Sequence, residues 1–256
     1  MIMAPKNGFE IHGLKHSSVS QINKWIEAPD AWVAHYLFGR RGSGSSAMWR
    51  GIFTEQALVG VLAHGQDIDD AVARAESDFD DKIMFDDDGR ANKERSNIRP
   101  MTELAISKLE HLGKPDFPEG HDQHKVKMTC RGEGWSLPFI GYIDLKYPKH
   151  NRIVDLKTTL RMPSVMSFAH RRQRGFYEKA NDGYHVYFLY VTPKKAEFKD
   201  HGNPDESCKE IKFHLNRQEK FLRAGTKDQL KDMVPVNPDS FYWRGDEATR
   251  MELYGI

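Results

Sequence analysis

The sequence predicts a mixed α/β protein whose core follows the order helix, three strands, helix, strand. Three observations lead to this fold class. Segments with helical periodicity recur between residues 17 and 112, short alternating apolar segments follow from residue 124, and the run YHVYFLYVT spans 184–192. Because that run is almost entirely apolar, aromatic and β-branched, it predicts a central strand that is buried on both faces.

The N-terminal half predicts a succession of helices. Ser18 or Ser20 can cap a first helix. Pro29 then interrupts the pattern, and a second helix that carries Trp32 and Val33 follows. After it we expect a polar loop, a buried helix, an acidic helix, a second polar loop and a further helix, over 39–46, 48–64, 67–83, 86–97 and 100–112.

Strand patterns dominate the middle of the chain. We expect strands over 124–130, 137–147, 152–158 and 184–192, with a helix over 164–181 before the last of them. Beyond this core, the segment EIKFHLN predicts an edge strand over 210–216. The remaining sequence predicts a helix over 217–233 and an irregular tail with one helical turn.

The composition favours a folded protein of the cytoplasm. Hydrophobic residues make up 39% of the chain and charged residues 29%, as in globular domains. The apolar stretches are shorter than the roughly 18 residues of a membrane-spanning helix. The first ten residues lack the pattern of a secretion signal. The two cysteines, Cys130 and Cys208, lie far apart, which fits a reducing compartment. We therefore expect a cytoplasmic location and no membrane partner.

Charge is unevenly distributed although the formal net charge is only +1. Residues 67–88 are strongly acidic, whereas 146–179 are strongly basic and include HRRQR at 170–174. A basic patch on one element can bind polyanions. A solvated helix face explains the same pattern, and charge alone favours that second interpretation.

The most informative segment is GYIDLKYPKHNRIVDLKTT, residues 141–159. Polar turn residues separate two apolar strands, so a hairpin is expected. If Tyr147 pairs with Arg152, Asp144 lies directly opposite Asp155. Side chains alternate along a strand, so one face carries only apolar groups, and the opposite face is polar. The apolar face consists of Ile143, Leu145, Val154 and Leu156; the polar face consists of Asp144, Lys146, Asp155 and Lys157.

Two neighbouring carboxylates need compensation. Directly opposed side chains have Cβ atoms about 5 Å apart, where like charges repel. A divalent cation such as Mg²⁺ or Mn²⁺ is a suitable partner because it prefers carboxylate oxygens. Lys157 lies on the same face as Asp155 and can orient a water or stabilise developing charge. A surface hairpin with a ladder of lysines and aspartates remains the alternative.

Two helices add candidate residues. Gln173 and Tyr177 are four residues apart, hence on one helical face, and arginines at 171, 172 and 174 surround them. These arginines suit phosphate contacts, or else form a solvated basic edge. Glu55 stands on an otherwise apolar helix, where an unpaired carboxylate is costly, so it should cap, pair or meet a metal. The segment HDQH at 121–124 lacks further ligands for a zinc site.

Together these residues resemble the RecB-like and lambda-exonuclease-like branch of the PD-(D/E)XK nucleases. The family pattern is an acidic or histidine residue on the first helix, an aspartate on a strand, (D/E)xK on the next strand and QxxxY on the following helix. The matching residues are Glu55, Asp144, Asp155 with Lys157, and Gln173 with Tyr177. The resemblance covers about 17–192. It implies a restriction-endonuclease-like αβββαβ core with a mixed central sheet and an N-terminal helical elaboration.

The resemblance also implies an activity. Relatives of this kind use Mg²⁺ or Mn²⁺ to hydrolyse DNA phosphodiester bonds, often as exonucleases in recombination, repair or phage DNA processing. By this likeness Glu55, Asp144, Asp155 and the backbone carbonyl of Leu156 would hold metal, and Gln173 and Tyr177 would position the Lys157 region and DNA. The expected DNA contacts are Ser18, Ser20, Arg50, Arg171, Arg172 and Arg174.

The resemblance extends to organisation and partners. From the length of the chain we expect one nuclease domain over 1–256, with an N-terminal helical part at 1–47, a catalytic core at 48–216 and a C-terminal helix and tail at 217–256. The expected partner is DNA, as an end or a single strand. A recombination or replication protein and an oligomer are compatible with the sequence. A phage-encoded chain would act in the host cytoplasm.

The sequence departs from the family pattern in several places, including Asp144, which stands in GYID instead of after a proline. The iron–sulfur cluster of many relatives needs four cysteines, so we expect no cluster here. Ala28 stands where a cysteine usually precedes the proline, and Glu55 replaces the frequent histidine. Two alternatives remain open: a structure- or sequence-specific endonuclease that uses the same site, and a non-catalytic DNA-binding or assembly protein.

Overall fold

The computed structural model of this chain describes residues 6–40, 42, 44–84, 89–128 and 137–256, and its fold is mixed α/β. Predicted features at Arg41, Ser43 and Cys130, and the acidic end of 67–88, fall partly or wholly outside these ranges. Across the described ranges, no helix is both long and apolar enough to cross a membrane.

The N-terminal segment forms short elements that match the predicted caps and break. They are α1 (Gly8–Ile11), β1 (Ser17–Ser18), α2 (Val19–Glu27) and α3 (Pro29–Tyr36). The Ser18 hydroxyl caps α2 by accepting a hydrogen bond from the Gln21 amide at 3.2 Å. Pro29 occupies the first turn of α3, where its missing N–H costs nothing. The two predicted helices are therefore confirmed.

A helical layer follows, consisting of α4 (Ser46–His64), α5 (Ile68–Ile83), α6 (Ala91–Arg95) and α7 (Ile98–Leu109). The long helix α4 is capped by Ser45 and ends at Gly65, which adopts the left-handed conformation with φ 67°. The prediction of a polar loop over 86–97 is wrong at α6. Glu94 on α6 is fully buried and forms ion pairs with Arg50 and Arg90, so tertiary contacts stabilise a helix that local sequence does not announce.

The strands form two sheets. They are β2 (His124–Met128), β3 (Phe139–Ile143), β4 (Leu145–Tyr147), β5 (Arg152–Thr158), β6 (His185–Val191) and β7 (Ala196–Lys199). One sheet has the order β1-β3-β2, and the other has the order β4-β5-β6-β7. In the second sheet β5 and β6 are parallel, while the outer strands are antiparallel, so the sheet is mixed.

The predicted long strand over 137–147 breaks at Asp144. Tyr147 pairs with Arg152 as expected, but the ladder ends where Leu145 faces Val154, and the preceding residues belong to the other sheet. Ile143 and Leu145 consequently enter different hydrophobic clusters instead of sharing one face. Asp144 is therefore not paired as a strand residue opposite Asp155, and it occupies the bend between two strands.

The C-terminal half contains α8 (Phe168–Ala180), α9 (Pro204–Leu222), α10 (Lys227–Met233) and α11 (Glu247–Tyr254). The predicted strand over 210–216 is wrong because those residues lie within α9. Ile211, Leu215 and Leu222 are buried at helical spacing there. The edge strand is β7 instead. The helix predicted over 217–233 is interrupted between α9 and α10, and the tail forms a longer helix than the expected turn.

The core lies on both faces of β5 and β6. On one face Ile153, Val186 and Phe188 pack with residues of α2, α3, α8 and α9. On the other face Val154 and Leu189 pack with residues of α4 and α7. Strand β5 is thus held between the helix that carries Glu55 and the helix that carries Gln173 and Tyr177.

The burial of Glu94 yields a stability prediction. Replacing Glu94 by Gln leaves the buried Arg50 guanidinium without its counter-charge, which should lower the free energy of unfolding by about 3–5 kcal/mol. Asp80→Asn is a matched control, because Asp80 pairs with Arg95 at an exposed site and should matter by less than about 1 kcal/mol. Chemical denaturation of both variants checks this, and equal effects would contradict it.

Candidate active site

Asp144 sits at the break between β3 and β4 and points into the protein. Its side chain is 7% exposed, and its Oδ2 accepts a hydrogen bond from the Leu156 amide at 2.9 Å. Because β4 has ended, this amide meets a carboxylate where a neighbouring strand would otherwise lie. The N–H and C=O of one strand residue point to the same edge, so the Leu156 carbonyl faces the same gap.

Asp155 is the more deeply buried carboxylate, at 1% exposure. Its Oδ1 accepts a hydrogen bond from the Gln173 side-chain amide at 3.1 Å, and its Oδ2 forms an ion pair with the Lys157 ammonium. Lys157 lies two residues further along β5 and therefore on the same face. Its Nζ stands 5.0 Å from the centroid of the Phe188 ring, which adds a cation–π contact.

Glu55 joins this group through an amide that sequence analysis missed. Gln123, just before β2, donates from Nε2 to Glu55 Oε1 at 2.8 Å and to Asp144 Oδ1 at 3.3 Å. One side-chain amide thus bridges the carboxylate on α4 and the carboxylate at the strand break. Gln123 lies in the segment HDQH, which is a poor zinc motif. Nothing in that segment predicts the bridge between Glu55 and Asp144.

The predicted pair on α8 also reaches the site. Gln173 donates to the Tyr177 hydroxyl at 3.0 Å as well as to Asp155. Tyr177 is 5% exposed and packs against β3 at Gly141, where any side chain would collide with its ring. These contacts hold α8 against the break between β3 and β4. Gln173 and Tyr177, four residues apart on one helical face, therefore both lie at the carboxylate cluster.

Burial dominates the electrostatics of the cluster. It raises the pKa of Asp144 well above its ordinary value, and the charges of Asp155 and Glu55 add to that rise. Burial likewise raises the pKa of Glu55, and it raises the pKa of Asp155 by more than Lys157 lowers it. Burial opposes the charge on Lys157, but the carboxylates outweigh it and raise its pKa. Three carboxylates therefore share the Lys157 ammonium.

The donor chemistry of this cluster fits a hard divalent cation. Carboxylate and carbonyl oxygens are the ligands that Mg²⁺ and Mn²⁺ prefer. In the described ranges no three His, Cys, Asp or Glu side chains already stand in a metal-binding arrangement. The Gln123 amide and the Lys157 ammonium instead occupy carboxylate oxygens, so the Gln123 side chain would have to turn away from Asp144 to admit a cation.

Three arginines expected at DNA are internal. Arg50, Arg172 and Arg174 are only 3–4% exposed. Their guanidinium groups bind Glu94 and Thr158, Asn23 and Glu210, and Val186, Gly202 and Glu178, respectively. Buried and bonded within the protein, these three guanidinium groups do not face solvent, contrary to the expectation that they contact DNA.

The remaining expected DNA contacts lie nearer the surface. Arg171 is half-buried, donates from Nε to the Met166 carbonyl at 3.1 Å and lies over the exposed Phe168 ring. Ser18 and Ser20 hydrogen-bond to each other at 2.9 Å between their hydroxyl oxygens. Both serines line a cleft that also contains Gln173 and Tyr177. Their role in DNA contact stays a prediction.

Clefts lie beside residues of the carboxylate cluster. The cleft of the two serines has a volume of about 220 Å³. A second, of about 460 Å³, is lined by Glu55, Gln123 and Tyr142. A third, of about 300 Å³, contains Lys157 and His170. Glu55 lines one cleft directly, whereas Gln173 and Lys157, which contact Asp155, line the other two.

His170 is a further residue of the site that the sequence did not distinguish from other histidines. Its Nδ1 lies 2.5 Å from the Tyr190 hydroxyl. Burial and the charge of Lys157 lower the pKa of His170 to about 4, so its ring is neutral near pH 7. A neutral imidazole beside Lys157 can exchange hydrogen bonds without adding charge to the cluster.

Comparisons with known proteins add no relative: no protein-family model matches the chain, and no curated protein matches its sequence.

The raised pKa of Asp144 leads to a prediction about metal-free protein. A carboxyl group whose folded pKa is raised stabilises the fold below its ordinary pKa, and this stabilisation is lost as pH rises through the folded value. Asp144→Asn removes that loss while keeping an oxygen for the Leu156 amide. In EDTA, the variant should melt above wild type at pH 8, with the gap closing towards pH 4.

Magnesium supplies the second half of this test. Mg²⁺ should raise the melting temperature of wild type by about 2–4 °C for each kcal/mol by which its binding stabilises the folded state. The same concentration should have a much smaller effect on Asp144→Asn. Asp122→Asn is the control, because Asp122 is an exposed carboxylate near the cluster. Two results would contradict this account of the cluster. One is a melting temperature of wild type that does not change with Mg²⁺, and the other is a melting temperature of Asp144→Asn below that of wild type in EDTA at pH 8.

Proposed function

We propose that this chain is a divalent-metal-dependent deoxyribonuclease that hydrolyses phosphodiester bonds, and that it acts as an exonuclease. The observation that carries the proposal is the meeting of buried Asp144 and Asp155 at Leu156, with Lys157 on the same strand. A cluster so rich in buried negative charge is unfavourable without a function that uses it.

The relation of the four motif parts supports the likeness to PD-(D/E)XK nucleases. The residues come from α4, the β3–β4 break, β5 and α8, and they are linked by hydrogen bonds through Gln123 and Gln173. The chain order of these elements, with β6 next to β5, agrees with a restriction-endonuclease-like core. The likeness therefore rests on the motif residues and on their spatial arrangement together.

Asp144, Asp155, the Leu156 carbonyl and Glu55 are the groups that would hold Mg²⁺ or Mn²⁺. When bound, the cation supplies Lewis-acid stabilisation of the charge that develops on the phosphoryl group. An iron–sulfur cluster has no place in this proposal, because the sequence has too few cysteines.

The protein's own groups have separate tasks. Lys157 presents its ammonium beside Asp155, where it can orient the attacking water and stabilise charge on phosphorus. Gln173 holds the Asp155 carboxylate and Tyr177 together, which keeps that carboxylate in one orientation. Gln123 links Glu55 to Asp144 and can yield its position when a cation enters.

The depth of the carboxylates supports an exonuclease. Asp155 is 1% exposed, and its partners Gln173 and Lys157 line separate clefts. A phosphodiester bond reaches such groups most readily when its strand enters singly, as at a DNA end or in single-stranded DNA. A wide exposed groove would suit an uninterrupted duplex better.

Cleavage assays test the activity. End-labelled linear DNA should be degraded in Mg²⁺ or Mn²⁺ and remain intact in EDTA, while a closed circle should persist. Asp155→Asn should lower kcat by at least about a hundredfold and leave DNA binding largely in place. If no DNA is cut with either metal, the nuclease proposal fails, and cutting of closed circles would leave an endonuclease.

Lys157 provides a more specific prediction. Lys157→Met should lower kcat by about 10²–10⁴-fold with little change in KM, because its charge matters most as negative charge develops in the transition state. Lys146→Met is the matched control, since Lys146 lies on the adjacent strand with its Nζ 4.5 Å from the centroid of the Tyr184 ring. Steady-state kinetics of both variants decides; equal losses would argue against a catalytic role.

A further inference from the structure

Tyr142 is an exposed aromatic residue beside the carboxylate cluster of the candidate site. It lies on β3, two residues before Asp144, and is 46% exposed, whereas Phe139 and Ile143 on the same strand are fully buried. Its ring is therefore not needed to fill the core. An exposed tyrosine ring can offer its aromatic face to a ligand, and the surroundings of Tyr142 decide whether it does so.

The position of Tyr142 between two clefts gives that role a direction. It lines the cleft of Ser18, Ser20 and Gln173, and it also lines the cleft of Glu55 and Gln123. Both clefts contain residues that touch the carboxylate cluster. Because Tyr142 lines both clefts, a strand that runs from one into the other passes its ring.

The backbone beneath this ring is firmly held. Gly141 packs directly under the Tyr177 ring, with no room for a side chain, and the Tyr142 backbone hydrogen-bonds to Tyr177. Across the ladder, Lys125 faces Tyr142, and its Nζ lies 5.9 Å from the ring centroid. An aromatic face with an ammonium beside it offers two features that bind a nucleotide: a stacking surface for the base and a positive charge for the phosphate.

We propose that the Tyr142 ring is a stacking platform for an unpaired nucleobase of the DNA strand that enters the site, an inference that rests on the proposed nuclease function and deepens it. Stacking requires a base with a free face, so the favoured substrate has an unpaired or terminal nucleotide there. The Lys125 ammonium is placed to meet a neighbouring phosphate. Sequence preference should be weak, because every base offers an aromatic face.

A double-mutant cycle between protein and DNA tests the platform. Binding of single-stranded oligonucleotides is measured in EDTA, with one abasic position moved stepwise from each end. For wild type, base removal at one position should weaken binding roughly tenfold. For Tyr142→Ala, binding of intact DNA should be weaker by a similar factor, and base removal at that position should cause no further loss.

Two variants control for folding and for the hydroxyl group. Tyr142→Phe keeps the ring and should retain the response to base removal. Phe213→Ala removes a 57% exposed ring on α9, beside Arg217 and outside both clefts, and its effect should simply add to that of base removal. Thermal melting of each variant shows whether it is folded.

The outcomes separate this inference from the proposed function. Wild type that cleaves DNA but shows additive effects for Tyr142→Ala at all positions overturns the platform and leaves the nuclease. Non-additivity at one position without any cleavage supports the platform and overturns the nuclease proposal. Absence of DNA binding by folded wild type overturns the platform.

Discussion

The hydrogen bond from the Leu156 amide to the Asp144 carboxylate is the contact on which the site depends. It replaces a strand-to-strand bond at the point where β3 and β4 separate into different sheets. An ordinary ladder would have continued past this point and closed the gap. The break instead leaves a carboxylate, an amide and a carbonyl facing one another at the edge of β5.

Charge balance then dictates much of the surrounding structure. Buried carboxylates are tolerated only where hydrogen bonds and opposite charge offset their lost hydration. Lys157, Gln123 and Gln173 each donate to one or two of the three carboxylates. These contacts do not offset the cost of burial, which raises the pKa values of Asp144 and Glu55, and the neighbouring carboxylates add to that rise.

The sequence predicted the parts of this arrangement that depend on local pattern. The alternation in RIVDLKT fixed the face shared by Asp155 and Lys157, and the turn fixed Tyr147 opposite Arg152. The break at Asp144 escaped prediction because its cause is a sheet change and not a turn residue. Gln123 escaped because its partners are 68 and 21 residues away in sequence. The segment 210–216 has both strand-like alternation and helical spacing, and only its packing on α8 decides for helix.

Arg50 shows how an expected DNA contact can instead be an internal contact. Arg50 looks like a phosphate contact in sequence, yet its guanidinium binds Glu94 and the Thr158 backbone and hydroxyl at the end of β5. It therefore ties α4, the helix of Glu55, to the strand of Asp155 and Lys157. Because Glu55 lies five residues along that helix, any slip of α4 along β5 would carry its carboxylate away from Asp144. A positive charge placed inside the protein thus holds the negative charges in register, which an exposed arginine could not do.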